Sequence, residues 1–182
     1  ITDSTINGNS GGSGAGGGIL TSRNPLTLTN SRVIANSAFT AGGIINLDHL
    51  VLYQTEVSGN SASSDYGGIA TGVGSNLEVV DSKINGNTAE NVNAGIYALY
   101  SAEVTITGSE ISGHSGTGIH INPGASLTVT SSAIRRNSTG IAGGGTLTVV
   151  ASTISENSTP DSGGGISSSG PLTVIDSEIV NN

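Results

Sequence analysis

The chain has 182 residues, enough for one domain, and carries 29 Gly, one Phe, no Cys, no Met and no Trp. Its 13 acidic against 5 basic residues give a net charge of −8, which excludes a phosphate-binding basic face and so argues against a nucleic-acid partner. The lack of Cys excludes disulfides and Cys-ligated metal, and no apolar run reaches the ~20 residues that span a bilayer.

The first element is a branched residue in the phrase Ser-x-Ile-x-x-Asn. It falls at Ile6, Val33, Val57, Ile84, Ile111, Ile134, Ile154 and Ile179, in steps of 27, 24, 27, 27, 23, 20 and 25 residues. The second, Gly-Gly-Ile or a near relative, ends at Ile19, Ile44, Ile69, Ile96, Ile119, Ile141 and Ile166. The third alternates apolar and polar residues, as in Leu127-Thr-Val-Thr and Leu147-Thr-Val-Val, with the period of two expected of a strand. No segment shows a helical period.

Three short strands in each 20–27 residues close one turn of a coil, and identical strands then stack at ~4.8 Å. The expected fold is all-β: a single right-handed parallel β-helix over 1–182, with about seven coils and three strands per coil. Leu26, Leu28, Leu50, Leu52, Leu77, Val79, Val104, Ile106, Leu127, Val129, Leu147, Val149, Leu172 and Val174 are expected to line one buried wall. Loops 62–67, 89–94 and 158–163 are expected to bulge from one edge, and Gly runs such as Gly16–Gly18 and Gly143–Gly145 to form corners that only Gly accommodates. The first and last repeats have typical residues. The reading is therefore an uncapped rod that continues in a longer array, or by head-to-tail stacking on another copy.

Three columns of equivalent residues are candidates for function. The Asn column is Asn9, Asn36, Asn60, Asn87, Asn137, Asn157 and Asn182, with His114 in the fifth coil. It reads as a structural corner ladder, in which Asn takes left-handed backbone angles and its amide bonds neighbouring coils. Asn137-Ser-Thr and Asn157-Ser-Thr match a glycosylation acceptor, but the ladder position argues against modification. A charged column, Arg32, Glu56, Lys83 and Glu110, alternates in sign, with Arg136 and Glu156 as a further pair, and reads as an exposed ion-pair ladder. The outward Thr105, Thr107, Thr128 and Thr130 form a repeated pair like an ice-binding face, and Tyr53, Tyr66, Tyr97 and Tyr100 are the aromatic candidates for glycan stacking.

No grouped carboxylates, metal-ligand spacing or phosphate loop emerges: His49, His114 and His120 share no motif, and Asp48-His49 reads as a turn pair. No catalytic residue, metal or cofactor is assigned.

The Gly-Gly-x-Ile phrase with x-x-x-Asn resembles the parallel β-helix repeat family, in particular the repeats of chlamydial polymorphic outer-membrane proteins and related bacterial adhesins. Pectate lyases and alginate epimerases are similar in fold, but their catalytic motifs do not appear here. The resemblance implies a non-catalytic structural or adhesive module at a bacterial surface or outside the cell: a stalk, passenger segment or filament subunit with a cell-surface or glycan partner, and no membrane insertion by this segment. The alternatives are a carbohydrate-binding or carbohydrate-active β-helix, and an ice-binding protein.

Overall fold

A computed structural model describes residues 1–91, 93–160 and 163–182. Among these residues there are strands, turns and bends but no helix, and every strand pairing is parallel. Such pairing needs a crossover between neighbours, and here the crossover is the rest of the coil. Each coil returns the chain to the strand one turn earlier.

The Ile phrase forms an eight-stranded sheet from Thr5–Asn7 through Lys83–Asn85 to Glu178–Val180. The Gly-Ile phrase forms a seven-stranded sheet from Ile19–Thr21 to Ile166–Ser168, and the Leu-x-Val phrase another from Leu26–Thr29 to Leu172–Ile175. Register is set residue for residue: Ile84 pairs with Val57 and Ile111, and Leu127 with Val104 and Leu147. The three sheets are the walls of a parallel β-helix.

The walls face one another through a single core. Leu50, Leu52, Val79, Ile106, Val129 and Val149 line one wall, and Val57, Ile84, Ile134, Ile69 and Ile119 the other two, all fully buried. Each such side chain contributes about 1.5–3 kcal/mol by leaving water. Leu172 and Val174 differ: in the last coil they are 47% and 40% exposed, because only the preceding coil covers them.

Two expectations change. Ser37–Ala38, Ser61–Ala62 and Thr88–Ala89 form a fourth, three-stranded sheet, so three coils carry an extra short strand and Ala62 and Ala89 belong to it rather than to a bulging loop. The pair after the ladder Asn is directed into this sheet because its amides still find carbonyls one coil away, as Ser61 N–H does at Asn36 O (2.9 Å) and Thr88 N–H at Asn60 O (2.9 Å). The rest of loops 89–94 and 158–163 spans residues 92, 161 and 162, which lie outside the described residues.

The second change concerns glycine. The Gly before each Gly-Ile isoleucine is required by crowding between coils, not by a left-handed angle: a Cβ on Gly68 would lie 2.5 Å from the Gly95 carbonyl oxygen. Gly16 (φ 75°) and Gly143 (φ 134°) do hold the positive angles of the expected glycine corners, and a Cβ on Gly143 would be driven into the Ile121 carbonyl.

Candidate functional site

The Asn column is a hydrogen-bond chain along the rod, buried from Asn36 to Asn157. Asn36 donates its backbone N–H and its Nδ2 to Asn60 Oδ1, both at 3.0 Å, while Nδ2 also reaches back to Ile6 O at 3.0 Å. Asn60 repeats this on Asn87 (3.0 and 2.9 Å) and Val33 O (2.9 Å), Asn137 on Asn157 (3.1 and 3.0 Å), and Asn157 on Asn182 (3.1 and 2.9 Å). Asn9 joins from the first coil, its N–H and Nδ2 donating to Asn36 Oδ1 at 3.0 and 2.9 Å. Asn137 and Asn157 are buried with their amides bonded, so neither acceptor triplet is open to a glycosyl group.

The backbone geometry of this corner corrects the sequence reading. The left-handed residue is not the Asn but the one before it: Gly8, Ala35, Gly59, Gly86, Gly113, Arg136, Glu156 and Asn181 have φ between 53° and 67°. The left-handed step turns the chain so that the following amide and carboxamide both point along the rod.

A second ladder escaped the sequence reading. Ser4 N–H donates to Ser31 Oγ at 3.1 Å, and the pattern runs Thr55 to Ser82 (2.9 Å), Ser82 to Ser109 (3.0 Å), Ser109 to Ser132 (3.1 Å), Ser132 to Ser152 (3.1 Å) and Ser152 to Ser177 (3.0 Å). Each of these residues also follows a left-handed one, such as Asp81 (φ 48°) and Ser131 (φ 50°). Its signal was present as the Ser of Ser-x-Ile. Ser is common everywhere in this chain, which hides the column.

His114 occupies the Asn column in the fifth coil. Nδ1 accepts the Asn87 N–H at 3.1 Å, and Nε2 is buried with no hydrogen-bond partner among the described residues. Burial pushes its pKa down to about 4, so the ring is neutral at pH 7.

The charged column does not run unbroken. Arg32 Nε meets Glu56 Oε2 at 2.9 Å and Arg136 Nε meets Glu156 Oε2 at 2.7 Å. Lys83, although in register between Glu56 and Glu110, makes no ion pair among the described residues. Glu110 instead takes Arg135, two guanidinium N–H donors at 2.9 and 3.1 Å, because that fork satisfies one carboxylate oxygen better than an ammonium point charge. Burial would raise the Glu110 carboxyl, but the Ser112 hydroxyl and Arg135 outweigh it and hold it below the ordinary range. The Ser58 hydroxyl, against burial and with Arg32, does the same for Glu56. These carboxylates are ionised, without the raised pKa of a general acid.

Asp81, Lys83 and Glu110 line one shallow groove of about 510 Å³ with Ser109, Ser132 and Thr153. Among the described residues no three His, Asp or Glu side chains converge on a point that would hold a metal ion. His49 opens a strand rather than a turn and meets Glu78 Oε1 at 3.0 Å, while Asp48 turns its N–H to Asn46 Oδ1 at 3.2 Å.

Thr105 and Thr107 pair in register with Thr128 and Thr130, and Thr128 with Thr148, but Val150 and Tyr53 interrupt the second file. The four tyrosines do not make one row. Tyr53 is on the Leu-x-Val sheet and Tyr100 in a turn, whereas Tyr66 and Tyr97 lie 4.3 Å apart with rings tilted by 32°, and Tyr97 stacks on His120 at 5.0 Å.

The family described as right handed beta helix region matches residues 57–182, more than half of the chain. The chain belongs to that family. No curated protein and no solved structure matches it. As a β-helix protein it repeats one coil with two internal side-chain ladders, and its variation lies on the outer faces.

Proposed function

We propose that this β-helix protein is a non-catalytic extracellular scaffold, a structural or adhesive module of a bacterial surface. The observation that carries the reading is where the polar residues go: Asn36, Asn60, Asn87, Ser82, Ser109 and Asn157 are buried and hydrogen-bonded to the next coil, which spends them on the stack. Three of the outer-face acids, Glu56, Glu110 and Glu156, are paired with arginine, and among the described residues no three His, Asp or Glu side chains gather at one point. The net charge of −8 and the absence of Cys suit an exposed, oxidation-indifferent surface.

The test is incubation of the purified chain with pectin, alginate and neutral glycans, with and without calcium. The expected result is unchanged polymer length. Depolymerisation that disappears with Asp81→Asn or Glu110→Gln contradicts the reading.

A further inference from the structure

The outward column of the Gly-Ile sheet passes in register through Ala70, Tyr97, His120, Ala142 and Ser167. Tyr97 and His120 lie ring on ring, 7° from parallel, and the Tyr66 ring lies 4.3 Å from that of Tyr97 at a tilt of 32°. Tyr97 is fixed by its hydroxyl, which donates to Asn122 Oδ1 at 2.9 Å. His120 therefore has one face on Tyr97 and the other turned toward the next coil.

That coil places only the Ala142 methyl in the column, and the one after it only the Ser167 hydroxymethyl. The stack of rings stops at His120 and the surface falls away into an open depression of about 510 Å³, lined by His120, Pro123, Ala142, Gly143, Ser167 and Ser169. One ladder step is ~4.8 Å, enough for one further ring over Ala142. The hydroxyls of Ser167 and Ser169 border this space and have no hydrogen-bond partner among the described residues.

We infer that this depression is a binding site for a neutral pyranose sugar, its apolar face stacked on the open face of His120 and its hydroxyls hydrogen-bonded to Ser167 and Ser169. A purely aromatic guest would use the ring face but leave both hydroxyls idle. A carboxylated sugar would meet a chain of charge −8 and a histidine that burial keeps neutral. The site deepens the adhesive reading and rests on it. Its test reads local binding rather than product, so either can fail without the other.

The experiment titrates the full 182-residue chain with the methyl glycosides of glucose, galactose and N-acetylglucosamine, followed by NMR at the His120 ring protons. Saturable shifts of these protons are expected for at least one glycoside. His120→Ala should weaken that binding about three- to tenfold, the size of one lost ring contact. Ala142→Tyr supplies the missing ring from the protein itself, and should abolish the titration with the amide spectrum of the stack retained. Absence of any shift at His120 with all three glycosides overturns the proposal. So does an undiminished titration in Ala142→Tyr, or tighter binding of N-acetyl-tyrosine amide than of any glycoside.

Discussion

Asn87 packs its carboxamide directly on Gly68: a Cβ on Gly68 would lie 3.0 Å from Asn87 Nδ2. The same contact recurs at 3.0 Å between Gly18 and Asn36 and at 2.8 Å between Gly118 and Asn137. The two most repetitive features of the sequence, the glycine before the isoleucine and the asparagine of the corner, thus share one space. Gly68→Ala must displace both the ladder amide and the Gly95 carbonyl, which have no flexible end to give way. Its expected cost is about 3 kcal/mol by urea denaturation followed by circular dichroism. A change below about 0.5 kcal/mol contradicts the packing account.

Asn60 accepts two hydrogen bonds from Asn36 and donates to Asn87 and Val33 while fully buried. Asn60→Ala leaves those partners without water or protein to bond, and is expected to cost about 3–5 kcal/mol. Asn9→Ala, at the exposed first coil, should cost about 1 kcal/mol or less. Equal costs at the two positions would mean that the ladder is not the source of the effect.

Ala35 and Ala151 hold left-handed backbone angles of 53° and 48° with a side chain that disfavours them. The equivalent positions of other coils use Gly59, Gly86 and Gly108. Ala35→Gly and Ala151→Gly should each stabilise the chain by about 0.5–1 kcal/mol, the reverse of the usual effect of introducing glycine. Destabilisation by both contradicts the assignment of the corner.

His114 gives the stack a pH dependence of defined sign. Its folded pKa, about 4, lies below the unfolded value near 6.5. The buried neutral ring is therefore compatible with full stability above about pH 6.5, and stability is lost as the pH falls toward 4, because the unfolded chain takes up the proton first. Complete passage through this window corresponds to about 3 kcal/mol. His114→Asn removes that dependence and restores at this coil the carboxamide found at the other positions of the column. Identical pH slopes for the two proteins would show that His114 is not the titrating group.

The periodicity made the fold legible because each coil buries the same residue types at the same steps, so Ile84, Ile134 and Leu127 announce their walls without reference to anything distant. The Asn column was legible as a column, but its mechanism was not. Which residue turns left-handed depends on where the next coil's carbonyl lies, and Ala35 or Arg136 carries no mark of it. The ion pairs were legible as alternating charge, yet Glu110 chose Arg135 over Lys83 on donor geometry, which column arithmetic ignores. The Tyr97–His120 stack needed two residues from phrases of different wording to fall in register, and only the paired strands reveal that.

Thr71 carries a buried hydroxyl with no hydrogen-bond partner among the described residues. Thr71→Val keeps the shape and removes the unpaired group, and should raise stability by about 1 kcal/mol in thermal unfolding. A loss of that size would indicate that the hydroxyl is bonded in solution.

The central claim is that two side-chain ladders bind the coils into one cooperative stack, leaving only the outer faces for recognition. Native-state hydrogen exchange measures it most directly, since each ladder bond occupies an identifiable backbone N–H: Asn36, Asn60, Asn87, Asn137 and Asn157 in one ladder, and Ser82, Ser109 and Ser132 in the other. The account predicts that these amides are among the slowest in the protein and share one opening free energy equal to that of global unfolding. Ladder amides that exchange as fast as those of exposed turns, or coils that open independently with widely different free energies, would contradict it.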